Sequence, residues 1–543
     1  MPSIRILQFG GIRPAVEPRL LPLPNAQVAH NTELRRGDLC PYEVPVDVGE
    51  CDASHIFLAS VFENSPQLMC EAGCMVQPYR SCLSEHEVAV FYPDRAPEVI
   101  DEDGSRPLLP PAPPTAPVPT LVADGPVKEL TGVDARFYLV TWVNEDGVES
   151  RPSPPSEVIS VRDGAVVDLA LPPPPPGTLY MRVYRNDSPA DSGMDEGSVE
   201  STPQLISEVA PQATFRDNRR LMDMEQGGLT TLDNCDPPPL ECVAETEAGY
   251  LVGFNGGEVA FSEIGEPHNW PERYRFTLPY DIVGIAVHQN DVYVGTTGHP
   301  YRISIAQPDG EDIFMQYDIT RYDDFFPLLH QEAITATDAG AAMATIGGVA
   351  TLSRQGAVLA TRDRIDEDIW DDEIAPTMLE WQHGRLFGYG GPIGGFILGW
   401  QGASNLDIGD LVTIDWQPDT IHAGYDGKMY YVQDGSARTW DEGKVNLPYR
   451  WVSRIYRAQG WMKWAAAKVV GDHDAANPVT FRLYSENGLY WEQQVVNNKP
   501  FRLPCGPRGI EWWVELEGTT CVREAHVATS KMELTEIGGG TDG

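Results

Sequence analysis

Short runs that alternate apolar and polar residues, each ended by a glycine or proline, recur along the whole chain: ARFYLVTWV, LYMRVYRN, DVYVGTTG, KMYYVQDG, VTFRLYSENG and EWWVELEG. Such alternation, rich in β-branched and aromatic residues, belongs to half-buried strands, and the turn residues stop each one. The 51 glycines and 47 prolines act as punctuation, and the reading is an all-β protein. One stretch has helical character, NAQVAHNTELRRG, and it reads as extended from Val28 onward. A chain of 543 residues exceeds one typical core, so several folded units are expected.

Proline clusters mark the expected boundaries. Residues 1–104 read as an N-terminal docking segment with the first propeller strands. SRPLLPPAPPTAPVPT, from Ser105 to Thr120, reads as a polyproline connector, so 105–125 is expected to be a linker outside any sheet ladder. Residues 126–220, with a turn at Asp146-Gly147, resemble a fibronectin type III β-sandwich. Within 221–449, five units each join two strands through a tight glycine turn: GYLVGFNGGEVAFSE, NDVYVGTTGHPYRIS, GGVATLSRQGAVLAT, HGRLFGYGGPIGGFILGW and DGKMYYVQDGSARTWDEG. Their spacing, roughly 40 residues or more, is near the blade length of a β-propeller, and circular packing buries every blade without a long open edge. Residues 450–535 read as a C-terminal β-sandwich with a hairpin at SENG, and 536–543 as a flexible tail.

Charge and motifs narrow the function. Lysine and arginine total 39 against 80 acidic residues, a net charge of -41 that repels phosphate backbones and anionic lipid. Tight wrapping of nucleic acid is disfavoured, whereas an acidic wall suits a conduit that DNA slides past. No run approaches the roughly 18 apolar residues of a membrane helix, and MPSIRILQFGG is unlike a signal peptide, so a cytoplasmically made chain without membrane insertion is expected. The nine cysteines read as free, buried thiols. CEAGCMVQPYRSC, with His86 nearby, lacks a zinc spacing, and no metal is assigned.

Chemical signatures are equally sparse. There is no GxSxG, HExxH or GxxxxGK[ST] pattern and no singled-out carboxylate pair. The acidic run with Asp366, Asp368, Asp371 and Asp372 lacks the glycine and glutamate of an EF-hand and reads as a solvated loop or subunit contact. QDGSARTW, Gln433 to Trp440, reads as an Asp-Gly hairpin, and His268, His288 and His299 read as structural. No catalytic residue and no cofactor is assigned, and the chain is not read as an enzyme.

Two blocks carry a likeness to a known family. FGGIRPAVEPRLLPLPNAQVAHNTELRRGDLCPYEVP, Phe9 to Pro45, resembles the N-terminal signature of the tail nozzle, or tail tubular protein B, family of short-tailed bacteriophages. The matching positions are Gly10, Gly11, Pro18, Leu20, Leu21, Ala26, Gln27, Ala29, Asn31, Leu34, Gly37, Leu39 and Pro41. Between Gly249 and Ser304 the chain is similar to a blade pattern of these phage proteins at Phe261, Ser262, Glu263, Pro267, His268, Trp270 and Pro271. The resemblance implies a structural virion protein located in the tail. It also implies a homo-oligomer, a ring of six copies, below a tail adaptor, with the genome crossing the lumen and fibres or spikes held outside. The fibronectin-like insert departs from that pattern. A carbohydrate-binding or carbohydrate-cleaving propeller and a tail-tip hub protein of a long-tailed phage are the alternatives. The opening stretch, with Gly10, Gly11, Pro18, Leu20, Leu21, Gln27, Asn31 and Gly37, is expected to dock onto a neighbouring copy or the propeller face, or else to close the ring by pairing with the last blade.

Overall fold

A strand with one apolar face must lay that face against another sheet, so the alternating runs dictate layers and rings of sheets. The computed structural model describes residues 3–51, 55–62, 65–71, 75–77, 88–91, 97–101, 104–126, 133–145, 147–189, 203–220, 227–231, 234–306, 315–400, 408–424 and 426–536. They form two units, one of Met1–Pro78, Leu240–Val259 and Phe276–Gly543 and one of Tyr79–Pro239 and Ala260–Arg275. Nearly all regular structure is antiparallel sheet, as the alternation requires.

The glycine-turn repeats fall on consecutive four-stranded sheets. One comprises Cys242–Glu245, Leu251–Asn255, Glu258–Phe261 and Arg275–Thr277. The next comprises Ile282–His288, Asp291–Thr296, Tyr301–Ala306 and Gln316–Arg321. Ile334–Thr337, Gly340–Thr345, Gly348–Ser353 and Gly356–Leu359 follow, and then Met378–Gln382, Arg385–Gly390, Gly394–Trp400 and Ile408–Ile414. A further sheet runs Thr420–Ala423, Met429–Gln433 and Ser436–Thr439, and its outer strand is Val46–Glu50 from the other end of the chain. Its Gln433-to-Ser436 connection is the expected two-residue hairpin, with Asp434 and Gly435 both at positive φ (54° and 74°), the geometry that matches the twist of paired strands.

The first strand of each sheet packs against the first strand of the next. From Thr420–Ala423 the circuit continues through His55–Phe62 and Met75–Gln77 back to Cys242–Glu245. Seven inner strands, all in the larger unit, therefore close a β-propeller-like ring among the described residues.

The C-terminal β-sandwich follows in the same unit. One sheet orders Ser3–Ile6, Val522–Ala528, Ala466–Gly471 and Phe501–Arg502; the other contains Tyr449–Ser453, Gly509–Gly518, Val479–Ser485 and Gly488–Val495. Ser485 pairs with Gly488 across the expected SENG hairpin. The sandwich is thus completed by a strand from the N-terminus, which a boundary at residue 450 does not include. A helix, Lys531–Glu536, follows the last strand and buries Leu534 against Ala466 and Ala528. The expected flexible tail lies, beyond residue 536, outside the described residues.

In the smaller unit, Val118–Ala123, Val166–Ala170 and Thr214–Asp217 form one sheet, and Ile159–Val161, Asp134–Asn144, Thr178–Pro189 and Gln204–Val209 the other. This is the expected two-sheet insert, with Tyr138, Val140, Trp142, Leu169 and Val183 in its core. Buried Arg136 and Arg185 meet buried Asp187 and Asp217, and the Tyr138 hydroxyl donates to Asp217 at 2.8 Å. The mutual pairing offsets the large cost of taking four charges out of water.

Three expectations are corrected. The proline-rich 105–125 segment does enter ladders: Gly104–Pro107 pairs with Glu98–Asp101, and Val118–Ala123 pairs with Val166–Ala170. Pro107 ends its strand and Pro119 sits on an edge strand, positions where a missing N–H is tolerated. The acidic run is helical rather than a loop, Glu367–Ile369 continuing into Trp370–Ile374, while Asp366, Asp368, Asp371 and Asp372 are solvent-exposed as expected. Asp366 caps it, and the indole of fully buried Trp370 donates to the Thr345 carbonyl at 2.9 Å. Finally, the cysteines are not all free. Cys40 and Cys521 form a disulfide across 481 residues, and Cys51 is also disulfide-bonded, whereas Cys242 and Cys505 are free thiols. Cys74, Cys82 and His86 lie outside the described residues.

The bridge from Cys40 to Cys521 sits next to the reciprocal backbone hydrogen bonds of Leu39 and Val522, both 2.9 Å. Replacing Cys521 with serine is expected to cost about 2–5 kcal/mol, read as a lower urea midpoint than wild type under non-reducing conditions. An unchanged midpoint would show that the cross-link adds nothing.

Candidate functional site

The opening stretch folds as a strand for a local reason and a distant one. Three successive turns, closed by the hydrogen bonds of Val16 to Arg13, Leu20 to Glu17 and Asn25 to Pro22, carry the proline-rich stretch to Ala26–His30, where a register shift between Ala26 and Val28 leaves the small residues Ala26 and Ala29 both buried in a strand held between two others. Those neighbours are Ile408–Ile414, the outer strand of a propeller sheet, and Tyr449–Ser453, the first strand of the C-terminal sandwich. One continuous sheet therefore runs from the propeller through this strand into the sandwich. Extension from Val28 is confirmed. Within the chain, ring closure by the outer strand of the last sheet belongs to Val46–Glu50, just downstream, and not to the opening stretch itself.

Asn31 is the centre of the join. It is fully buried, takes a left-handed φ of 53°, and uses its whole amide. Its Nδ2 donates to Asp415 Oδ2 at 3.0 Å and the Pro448 carbonyl at 3.3 Å, its Oδ1 accepts from the Asp415 N–H at 3.0 Å, and its own N–H reaches the Thr413 carbonyl at 2.8 Å. Gln27 Nε2 donates to the Ser453 carbonyl at 2.7 Å. The Gly10 carbonyl receives the Trp451 indole N–H at 3.0 Å, and the Gly11 carbonyl receives the Asn25 amide at 3.1 Å. Gly37, at φ 86°, turns so that its carbonyl accepts from the Phe9 N–H at 2.8 Å. Leu21 is buried, Leu20 is exposed, and the carbonyl of exposed Pro18 accepts from Ile455. The structure thus gathers these residues along one seam inside their own chain.

The second block is a buried corner. Phe261, Ser262 and Trp270 are fully buried, and Pro267 and Pro271 are buried beside them. The Trp270 indole donates to the Pro267 carbonyl at 2.8 Å, the Ser262 hydroxyl to the Glu263 carbonyl at 2.9 Å, and Glu263 pairs with Arg273. Burial lowers the pKa of His268. The corner shapes the chain between Glu258–Phe261 and Arg275–Thr277 and presents no assembled chemistry of its own.

Sequence reasoning missed a third group, set by the propeller's inner strands. Glu380 spans three of them: its Oε1 accepts from the Ala423 N–H at 3.2 Å and its Oε2 lies 3.5 Å from the Thr335 hydroxyl. Burial pushes the Glu380 carboxyl up to about 7, the His422 imidazole down to about 4 and the Cys242 thiol up to about 12. All three are only partly hidden from solvent. A carboxyl that titrates near neutrality can take up or release a proton. Among the described residues no group of three or more His, Cys, Asp or Glu side chains could hold a metal ion. In sequence these positions look like ordinary strand residues, because equivalence between inner strands appears only once the blades are in register.

Two predictions follow from this geometry. Asn31→Ala strands the Asp415 N–H and the Pro448 carbonyl and leaves a non-glycine residue in the left-handed region, so a loss of about 2–4 kcal/mol is expected in urea denaturation; a loss under about 0.5 kcal/mol, the scale of an ordinary surface substitution, would deny the seam its weight. Glu380, with a raised folded pKa, contributes stability below its unfolded value and loses it as pH rises from about 4.5 to 7. His422, with a lowered folded pKa, contributes above its unfolded value and loses it as pH falls from about 6.5 to 4. Glu380→Gln should flatten the first limb of a stability–pH curve and His422→Gln the second, each by up to about 3 kcal/mol; unchanged limbs would contradict the assignments.

Comparison with known proteins adds names without an argument. No family model matches the chain, and no curated protein matches it. Among solved structures, a chain of the crystal structure of the Mitotic Checkpoint Complex is 12% identical over 71% of this chain and 92% of that one, with a TM-score of 0.27. The AfRom2 CNH domain is 10% identical over 73% and 98%, with a TM-score of 0.25. Apo AztD from Citrobacter koseri is 10% identical over 71% and 99%, with a TM-score of 0.22. TM-scores this low support no inference, and the propeller-like fold stands on the protein's own circuit of inner strands.

Proposed function

We propose that the chain is a structural virion protein of a tailed bacteriophage, the tail nozzle that forms a ring below the tail adaptor and conducts the genome. The observation that carries this reading is the placement of the family-like opening stretch. The residues that resemble the nozzle signature are the ones that tie propeller to sandwich, with Asn31, Gln27 and Gly10 each bonded across the seam. A part that must stay assembled while DNA passes through it is served by a fold in which an N-terminal segment is stitched into the body between propeller and sandwich.

The net charge of -41 supports the same reading. A lumen lined by such chains repels a polyanion and lets it slide, and the outer face remains available for fibres or spikes. Copies so charged also repel one another, so assembly of the homo-oligomer is stronger when salt screens them. Electron microscopy of the purified protein and of virion-derived tails tests the proposal. The expected images are sixfold rings with an opening wide enough for a duplex, more abundant at high salt. A stable monomer absent from virion particles that binds or cleaves a host polysaccharide would replace this reading with the carbohydrate-directed propeller.

A further inference from the structure

The opening stretch also roofs a cavity of about 120 Å³, bounded below by the propeller strands that carry Arg385 and Val412 and rimmed by exposed Gln8 and Arg35. Its lining has an unusual hydrogen-bonding balance. Arg385 is largely buried, with 12% of its side chain exposed, and neither its Nε nor its Nη1 makes a hydrogen bond. Glu33 stands near, 3.7 Å from Nη1, yet its two oxygens already receive Arg35 Nε at 3.0 and 3.1 Å and one of them the Arg35 N–H at 2.8 Å. Thr32 is completely buried and its hydroxyl has no partner. Burial raises the pKa of the Tyr42 hydroxyl, and that hydroxyl is a hydrogen-bond partner of the Arg385 guanidinium. Asp441 lies close enough to act on Arg385, and burial shifts its own carboxyl toward the neutral form. The cavity therefore offers two guanidinium N–H groups and one hydroxyl that make no hydrogen bond, and a buried donor left without an acceptor is costly.

We propose that this cavity is a receptor for a small carboxylate, held by Arg385 and the Thr32 hydroxyl beneath the opening stretch. The size admits an acetate-sized group and the donors match its oxygens; guanidinium–carboxylate hydrogen bonds are among the strong ones because both partners are charged. The carboxylate comes either from a free acid or from an acidic side chain of a second copy of this chain, which has 80 acidic residues to offer. The assignment does not depend on the virion reading.

Calorimetric titration of the full chain with sodium acetate, against sodium chloride at matched ionic strength, tests it. The expected result is saturable acetate binding that weakens at least tenfold in Arg385→Gln and severalfold in Thr32→Val, a near-isosteric change that preserves the fold even where the arginine variant fails to. Acetate indistinguishable from chloride, inorganic phosphate binding in place of acetate, or equal binding by both variants would overturn it, as would a crystal structure in acetate showing ordered water alone in the cavity. Sedimentation then identifies the source. Self-association abolished by acetate and by Thr32→Val assigns the carboxylate to a second copy, and association indifferent to both assigns it to a free acid.

Discussion

The architecture depends on one insertion: a five-residue strand near the N-terminus fills the slot between a propeller sheet and the C-terminal sandwich. Without it, the edges of Ile408–Ile414 and Tyr449–Ser453 would face each other with unpaired backbone, and buried backbone groups are rarely left unpaired. Asn31 makes the insertion specific. Only a short amide side chain can accept from one backbone group, donate to a second and tolerate a left-handed backbone at the same point.

Apolar packing follows the same seam. Phe9 meets Trp451 edge to face at 4.9 Å, and one continuous core joins Ala26 and Ala29 of the opening strand to Phe387 and Trp416 on the propeller side and to Trp451, Phe481 and Trp512 in the sandwich. Propeller closure is downstream of it, because Val46–Glu50 must be delivered to Ser436–Thr439 from the same segment. The pairs Ser3 with Ala528, Ala26 with Ser453 and Cys40 with Cys521 all bridge more than three-quarters of the chain. Contacts so distant in sequence repay their loop-closure entropy only once the rest of the chain is gathered, so docking of the N-terminal segment is expected late in folding.

Local features were legible in the sequence and long-range ones were not. Strand positions followed from alternation, and the Asp434-Gly435 and SENG turns followed from residue chemistry that acts over four residues. The two-sheet insert and the propeller-like repeats followed from strand length and spacing. The Cys40–Cys521 bond had no local signal, because thiols 481 residues apart announce nothing until the seam brings Leu39 beside Val522. Pro119 misled because proline excludes a strand only where its missing N–H is needed, and edge placement is a tertiary fact. Glu380 was invisible for a related reason: its neighbours Thr335 and Ala423 lie on separate inner strands, and only the circuit makes them adjacent.

Native-state hydrogen exchange on the dilute monomer tests the central claim most directly. If the opening strand is an internal stitch, amides of 26–31 share the protection of 411–415 and 449–453 and exchange with them in a single cooperative opening, independent of protein concentration. Fast exchange of 26–31 in the monomer, with protection gained only on self-association, would contradict the account and make this segment a contact between copies.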